Sequence, residues 1–339
     1  MLCAPFMAYS KPWRSVADQL AQLQARGMHI GDVAKAADYL ERIGYYRLSG
    51  YWYDFRVRGE PFCPLDAETG RKPKKVRIER PVLDEFKPGT RFHDAVDLYV
   101  FDKKLRLLAL DALERIEVAL RVDLSHRLGE KDPFAYLKPE LFHDNFARKL
   151  DTKNGLTRHH EWLTKHAALV MRSRETFMVH NREKYGLPLA IWVACEVWDF
   201  GCMSTLFSGL QSEDQDAIAQ TYRVADGRVF ASWLRSLNYL RNVCAHHSRL
   251  WNRNVVEEPK LPPLGAMPAL DAFVSDSVLR TRPFLLLCIC QHMMQVVNPS
   301  STWGSRLKKH LLEAFPDVSD LGITLQGMGV DAGWEQRVW

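Results

Sequence analysis

The sequence predicts an all-α protein, and three observations lead there. Leu98, Phe101, Leu105, Leu108, Ala112, Ile116 and Leu120 recur at three-to-four spacing, the period that lines one face of a helix with apolar side chains. No alternation of period two runs beyond a few residues, so no extended sheet is expected. The punctuation is helical as well: Gly27 and Gly44 each close a periodic segment, and the run "PKLPPLGAMP" stops another. At 339 residues the chain can bury a substantial core, and 47% hydrophobic with 26% charged residues is a globular composition, not a disordered one.

In chain order, "KPWRSVADQLAQLQARG" and "GDVAKAADYLERIG" read as the first two helices. "YYRLSGYWYDFR" follows, aromatic and basic, with a break expected at Ser49 and Gly50. Residues 59–90 gather prolines and glycines around "GRKPKKVRIER", the most basic stretch of the chain, and read as a loop or short hairpin insertion. The long helix covers "DAVDLYVFDKKLRLLALDALERIEVALRVDLSHRL". Segment 133–185 is more polar, with one helix around "EWLTKHAALVMRSRETFMVH". Residues 187–210 look helical with an interruption at Gly201, and "EDQDAIAQTY" makes a short helix. Residues 229–252 form another, the "SVLRTRPFLLLCICQHMMQVV" segment one more, and a last helix runs from about 301 to 314. The expected division is an N-terminal helical region (1–58), a basic insertion (59–90), a helical core (91–297) and a C-terminal helix and tail (298–339).

A net charge of +5 suits one basic groove and excludes a histone-like polycation. The seven cysteines are odd in number and form no CxxC pair, which reads as reduced thiols serving as small core residues. The opening "MLCAPFMAYSKPW" has no leader pattern, and "PFLLLCICQHMMQVV" is too short to span a bilayer. A cytoplasmic protein without a membrane partner is expected.

One stretch stands out. "LRNVCAHHSRLWNR", residues 240–253, places an arginine, an asparagine, two histidines and two more arginines within fourteen residues. On a continuous helix at about 100° per residue, Leu237, Leu240, Cys244, His247 and Trp251 share one stripe, the face that packs inward. Asn242, His246 and Arg249 project from the other side, with Arg241 at the boundary. His247 is then expected to be buried and structural, whereas His246 has no packing role. Such a face can be a solvated polar surface, or it can cleave a phosphodiester. An imidazole titrates near neutrality and moves protons, and a guanidinium grips phosphate oxygens. RNA carries its own 2′-OH nucleophile, so no metal or other cofactor is required.

Five blocks carry a resemblance: "GYYRLSGYWYDFR", "LYVFDKKLRLLALDALERIEVALR", "WVACEVWDFGCMSTLF", "SWLRSLNYLRNVCAHHSRLWNR" and "MGVDAGWEQRVW". In this order, from about residue 10 to residue 339, they resemble the Abi-like (AbiD/AbiF) family of abortive phage-infection proteins. That family is placed among the HEPN proteins, whose R-x4–6-H motif cleaves RNA without metal; similar domains occur in RNA-guided, RNA-cleaving effectors. The resemblance implies a HEPN-like helical bundle with an N-terminal helical extension and the small basic insertion. It places the motif on Arg241, Asn242 and His246, with His247 an auxiliary at the looser spacing. HEPN sites are composite, so a homodimer is implied.

The remaining candidates have two readings each. The tyrosines and tryptophans of "YYRLSGYWYDF" either plug the core or stack on single-stranded RNA, with Arg47 as the functional residue. Lys74 and Lys75 sit in a solvated loop or tether RNA electrostatically. Arg249 and Arg253 help hold RNA. Glu117, with Glu114 and Arg121 on one side of the long helix, either makes local ion pairs or supports the R-x4-H helix. His159 and His160 in "RHHEW" diverge by about 100° on a helix and read as a surface patch, not a metal site. The expected activity is a metal-independent endoribonuclease in phage defence or as a toxin. The alternative is a silent or restrained protein that holds a structured small RNA. No helix-turn-helix signal supports DNA binding.

Overall fold

The structure is a computed structural model and describes residues 10–62 and 80–336. It is all-α apart from one two-stranded sheet. The chain divides into two compact units, one of residues 1–101 and 314–324, the other of residues 102–313 and 325–339. Among the described residues no helix is long and apolar enough to cross a membrane.

In the first unit, α1 (Val16–Ala25) starts at Ser15, whose hydroxyl accepts from the Asp18 N–H while Asp18 answers to the Ser15 N–H, a capping box. The chain then turns through Gly27 at φ +92°, a conformation that favours glycine. Asp32 caps α2 (Val33–Arg42). The break expected at Ser49 and Gly50 does not occur: α3 (Tyr45–Trp52) runs through both. Buried Leu48, Tyr51 and Trp52 hold that helix down, and the Ser49 hydroxyl donates to the Tyr46 carbonyl at 2.7 Å. Trp52 meets Tyr45 edge-on at 5.2 Å, so much of the aromatic block is core. The residues just before the basic insertion and those near its end form antiparallel strands, β1 (Arg56–Arg58) and β2 (Val82–Phe86). Asp84 fastens this hairpin by ion pairs to Arg26 (2.7 Å) and Arg56 (3.4 Å).

The long helix is α4 (Phe92–Gly129), whose residues from Asp102 onward belong to the second unit. Its predicted row is buried at Leu98, Phe101, Leu105, Ala112, Ile116 and Leu120, with Leu108 half-buried. The second unit continues with α5 (Asp144–Ala147), α6 (Arg158–Arg172), α7 (Thr176–Tyr185), α8 (Ile191–Ala194), α9 (Phe200–Gly209), α10 (Ser212–Thr221) and α11 (Gly227–Ala245). After a long irregular stretch come α12 (Asp271–Ser275), α13 (Ser277–Arg280), α14 (Pro283–Val297) and α15 (Trp303–Glu313). Helix α11 packs on α9, α10 and α14, and buries Phe230, Trp233, Leu237 and Leu240 against them. Gly227 permits the close approach to α10, since a Cβ there would lie 2.5 Å from Gln215 Cβ.

Three boundaries differ from the sequence expectation. The helix expected over 161–180 is two, because Ser173 turns extended between α6 and α7. The interruption placed at Gly201 comes earlier: Asp199 starts α9 by accepting the Cys202 N–H at 2.7 Å, and Gly201 lies inside the helix. The segment 277–297 breaks at Thr281–Arg282, before Pro283, which has no N–H to donate and so opens α14 instead. The described cysteines (Cys195, Cys202, Cys244, Cys288 and Cys290) are buried thiols.

The surface-patch expectation fails at His159, which is buried and donates Nε2–H to the Tyr136 carbonyl at 2.8 Å; His160 is exposed. Two turns further on, His166 stacks on Trp162 and its Nδ1 accepts the Trp198 indole N–H at 3.0 Å. Burial pushes the His166 imidazole down to about 4. Below its ordinary value of 6.5, the unfolded chain binds a proton that the folded chain refuses. Stability is therefore expected to fall as pH drops from 6.5 towards 4, with this residue accounting for about 3 kcal/mol. Urea denaturation across that range checks it: His166→Gln should show a shallower loss than wild type, and equal slopes would refute the assignment.

Candidate functional site

Asp226 starts α11 by accepting the N–H groups of Arg228 (2.6 Å) and Val229 (3.3 Å). The helix ends at Ala245, not at residue 252 as the continuous stripe predicted. His246 is its C-cap, donating N–H to the Asn242 carbonyl at 3.0 Å. His247 follows at φ +56°, in the left-handed region. The Ser248 N–H returns to the Val243 carbonyl (3.0 Å) and the His247 N–H to Cys244 (3.1 Å), the Schellman pattern with histidine where glycine is usual.

The cause of this ending lies on α4. Asp102 and Arg106 form a buried ion pair one helical turn apart. Asp102 also accepts the backbone N–H groups of Leu250 (3.1 Å) and Trp251 (2.8 Å), and Arg106 donates to the Ser248 carbonyl at 3.3 Å. These bonds pull the chain off the helical path. Trp251 is buried as expected, but from a loop: its ring lies where a Cβ on Gly327 would come within 2.9 Å. The same loop is fixed again where the Val255 N–H meets the Thr281 carbonyl (2.8 Å) and Arg282 the Asn252 carbonyl (3.2 Å).

The expected burial of His247 is therefore overturned, since the helix that would have turned it inward has ended; both histidines are exposed. Asn242 is exposed and Arg241 half-buried, and the Arg241 guanidinium approaches the Asn242 side-chain oxygen at 3.5 Å. Arg241, Asn242, His246 and His247 thus converge on one helix end and the turn after it. His246 has no side-chain hydrogen bond among the described residues, which leaves its ring open to a ligand.

Around Arg241 stands an acidic and amide lining. Burial pushes the Glu117 carboxyl up from the usual range, against the pull of Arg121 and Arg241. Arg121 bonds Glu117 at 3.3 Å and the carbonyls of Cys195 (3.0 Å) and Trp198 (3.1 Å), so it anchors the approach to α9. The sequence alone gives no reason to single out Asp199. Burial would raise its carboxyl, but Lys165 at 2.7 Å, the Cys202 N–H and the charge of Arg241 together hold it below the usual range. Asn238, also unmarked, lies three residues before Arg241 and near Gly201. A helix-capping Asp and an i−3 spacing are ordinary signals, so the sequence alone distinguishes neither residue.

Arg253 donates to the Tyr239 hydroxyl at 2.6 Å and lies over its ring, beside α11; Arg249 is half-buried in the same loop. Arg47 is exposed on α3 of the other unit, and Lys74 and Lys75 lie outside the described residues. Among the described residues no group of three or more His, Cys, Asp and Glu is placed to hold a metal ion.

A family model described as "Abi-like protein" matches residues 38–252, from within α2 to just past the turn that holds the two histidines. No curated protein and no solved structure matches the chain.

The left-handed His247 makes a stability prediction. An L residue there costs about 1–2 kcal/mol, and glycine adds back about 0.5–1 kcal/mol of chain entropy. His247→Gly should stabilise the fold by about 0.5–1 kcal/mol, read as a higher urea midpoint. A lower midpoint would show that the imidazole's own interactions outweigh the strain.

Proposed function

The chain belongs to the Abi-like family, whose name suggests a part in abortive phage-infection defence, and from that premise we propose that it is a metal-independent HEPN-type endoribonuclease. The observation that carries this reading is the exposed His246 at the end of α11, one turn from Asn242 and flanked by Arg241. In the reaction, the ribose 2′-OH loses its proton to an imidazole and attacks the adjacent phosphorus. The O2′–P bond forms, the P–O5′ bond breaks, and a protonated imidazole supplies the proton to the leaving 5′-oxygen. Arg241 neutralises the charge that builds on the pentacoordinate phosphorus. Asn242 orients the phosphate, and Arg249 and Arg253 hold the flanking strand. The products are a 2′,3′-cyclic phosphate and a 5′-OH.

Base and acid act on opposite sides of the phosphorus, and the two exposed histidines of the motif, His246 and His247, sit together at one helix end. A homodimer that apposes the two α11 ends would supply the second imidazole, so the site is read as composite. Glu117, beside Arg241, acts as a positioning residue for the guanidinium.

Wild type, Arg241→Ala and His246→Ala, each incubated with total RNA in EDTA, test this. Both variants should lose at least about 10²-fold in cleavage rate while retaining wild-type circular dichroism. A 2′-deoxy substitution at a mapped cleavage site should abolish cutting there. Intact RNA in every lane would sink the nuclease and leave a protein that holds a structured small RNA; cutting at the 2′-deoxy position would sink the mechanism.

A further inference from the structure

A cavity of about 340 Å³ opens on the second unit, away from the residues assigned above. Four cations line it: Arg158 on α6, Arg228 and Arg235 on α11, and Lys260 from the loop after α11; no aspartate or glutamate lines it. Arg228 meets Asp226 at 3.8 Å near the surface, and Arg158 lies over the Phe146 ring at 5.8 Å. Arg235 and the Lys260 ammonium make no ion pair among the described residues. The frame is rigid. The Lys260 backbone N–H donates to Ser232 Oγ and its carbonyl accepts the Trp233 indole N–H, both at 2.8 Å. Phe146 forms a buried wall, seated where a Cβ on Gly209 would be 2.5 Å from its ring. Four cations with no carboxylate among the lining residues suit a phosphate.

Its position on α11 gives the pocket a use. Arg228, Arg235 and Asn242 are seven residues apart, and His246 caps the helix four residues later. At about 100° per residue these share one face, and Arg235 stands about 16 Å along the axis from the C-cap. We propose that the cavity is an anchoring site for a backbone phosphate of single-stranded RNA, a few nucleotides from the bond held at Arg241 and His246. This rests on the nuclease reading in naming RNA as the strand and in placing the scissile bond at Arg241 and His246. The recognition is electrostatic and blind to sequence, with the cations on the phosphate.

The test uses His246→Ala protein, so that RNA stays whole, and an unstructured fluorescent RNA oligonucleotide read by anisotropy over a salt series. Adding Arg235→Ala with Lys260→Ala, both exposed positions, should weaken binding about tenfold near 0.1 M salt. The slope of log affinity against log salt should become shallower by about 0.7 for each phosphate that the protein no longer neutralises. Charge-retaining Arg235→Lys with Lys260→Arg should restore both readouts, and Lys35→Ala with Lys309→Ala should change neither. Calorimetry with inorganic phosphate and with AMP separates the sources of the anion. Loss of AMP binding in the double alanine variant with RNA affinity and slope unchanged would make this a small-anion site and overturn the proposal. So would no change in any ligand. If RNA binding depends on the pocket but wild type does not cut RNA, the anchor stands and the nuclease falls; the reverse outcome removes the anchor alone.

Discussion

The buried Asp102–Arg106 pair on α4 decides how the chain leaves α11, and the candidate site takes its shape from that exit. A charge pair taken out of water is costly unless its remaining hydrogen-bonding capacity is met. Here it is met by backbone: two N–H groups accepted by Asp102 and one carbonyl reached by Arg106, all within residues 248–251. Removing one member of such a pair costs about 3–5 kcal/mol, well above the roughly 1–2 kcal/mol of a left-handed L residue. The clasp therefore wins, and His247 bears the strain of the turn. His246 becomes a cap whose ring faces solvent, while Trp251 is free to turn inward and close the core against Gly327.

The turn connects stability to chemistry. The clasp, the Val255–Thr281 bond and the Arg282–Asn252 bond fix the loop that follows the motif from several elements of the same unit. Behind Arg241, Glu117 and Asp199 supply carboxyls whose charges act on the guanidinium, and Lys165 and Arg121 in turn fix those carboxyls. In the proposed reaction Arg241 needs such a backing, since a long side chain without it would lose its aim.

Much of this was legible in the residues. The three-to-four spacing of Leu98 to Leu120 named both the long helix and its inward row, and the Gly27 and Gly44 stops fell where left-handed glycines stand. What periodicity missed were events decided by long-range bonds. The stripe through His247 and Trp251 was drawn on an ideal helix, and nothing local to residues 240–253 announces that Asp102, well over a hundred positions earlier, will capture the N–H groups of Leu250 and Trp251. The same holds for His159, whose neighbour in sequence is exposed while its own ring finds the Tyr136 carbonyl. Arg241, Asn242 and His246 were found by residue type and resemblance; Asn238 and Asp199 emerge only once α9 and α11 are packed together.

In the proposed nuclease the α4 clasp positions His246, the imidazole proposed to move the proton. Asp102→Asn keeps the size of the side chain and one oxygen acceptor, but removes the charge that Arg106 and the turn depend on. The direct measurement is the RNA-cleavage rate of this variant in EDTA, taken well below its melting temperature, with circular dichroism as the check on folding. A rate at least about tenfold below wild type in folded protein is predicted. A folded Asp102→Asn protein that cuts RNA at the wild-type rate would contradict it.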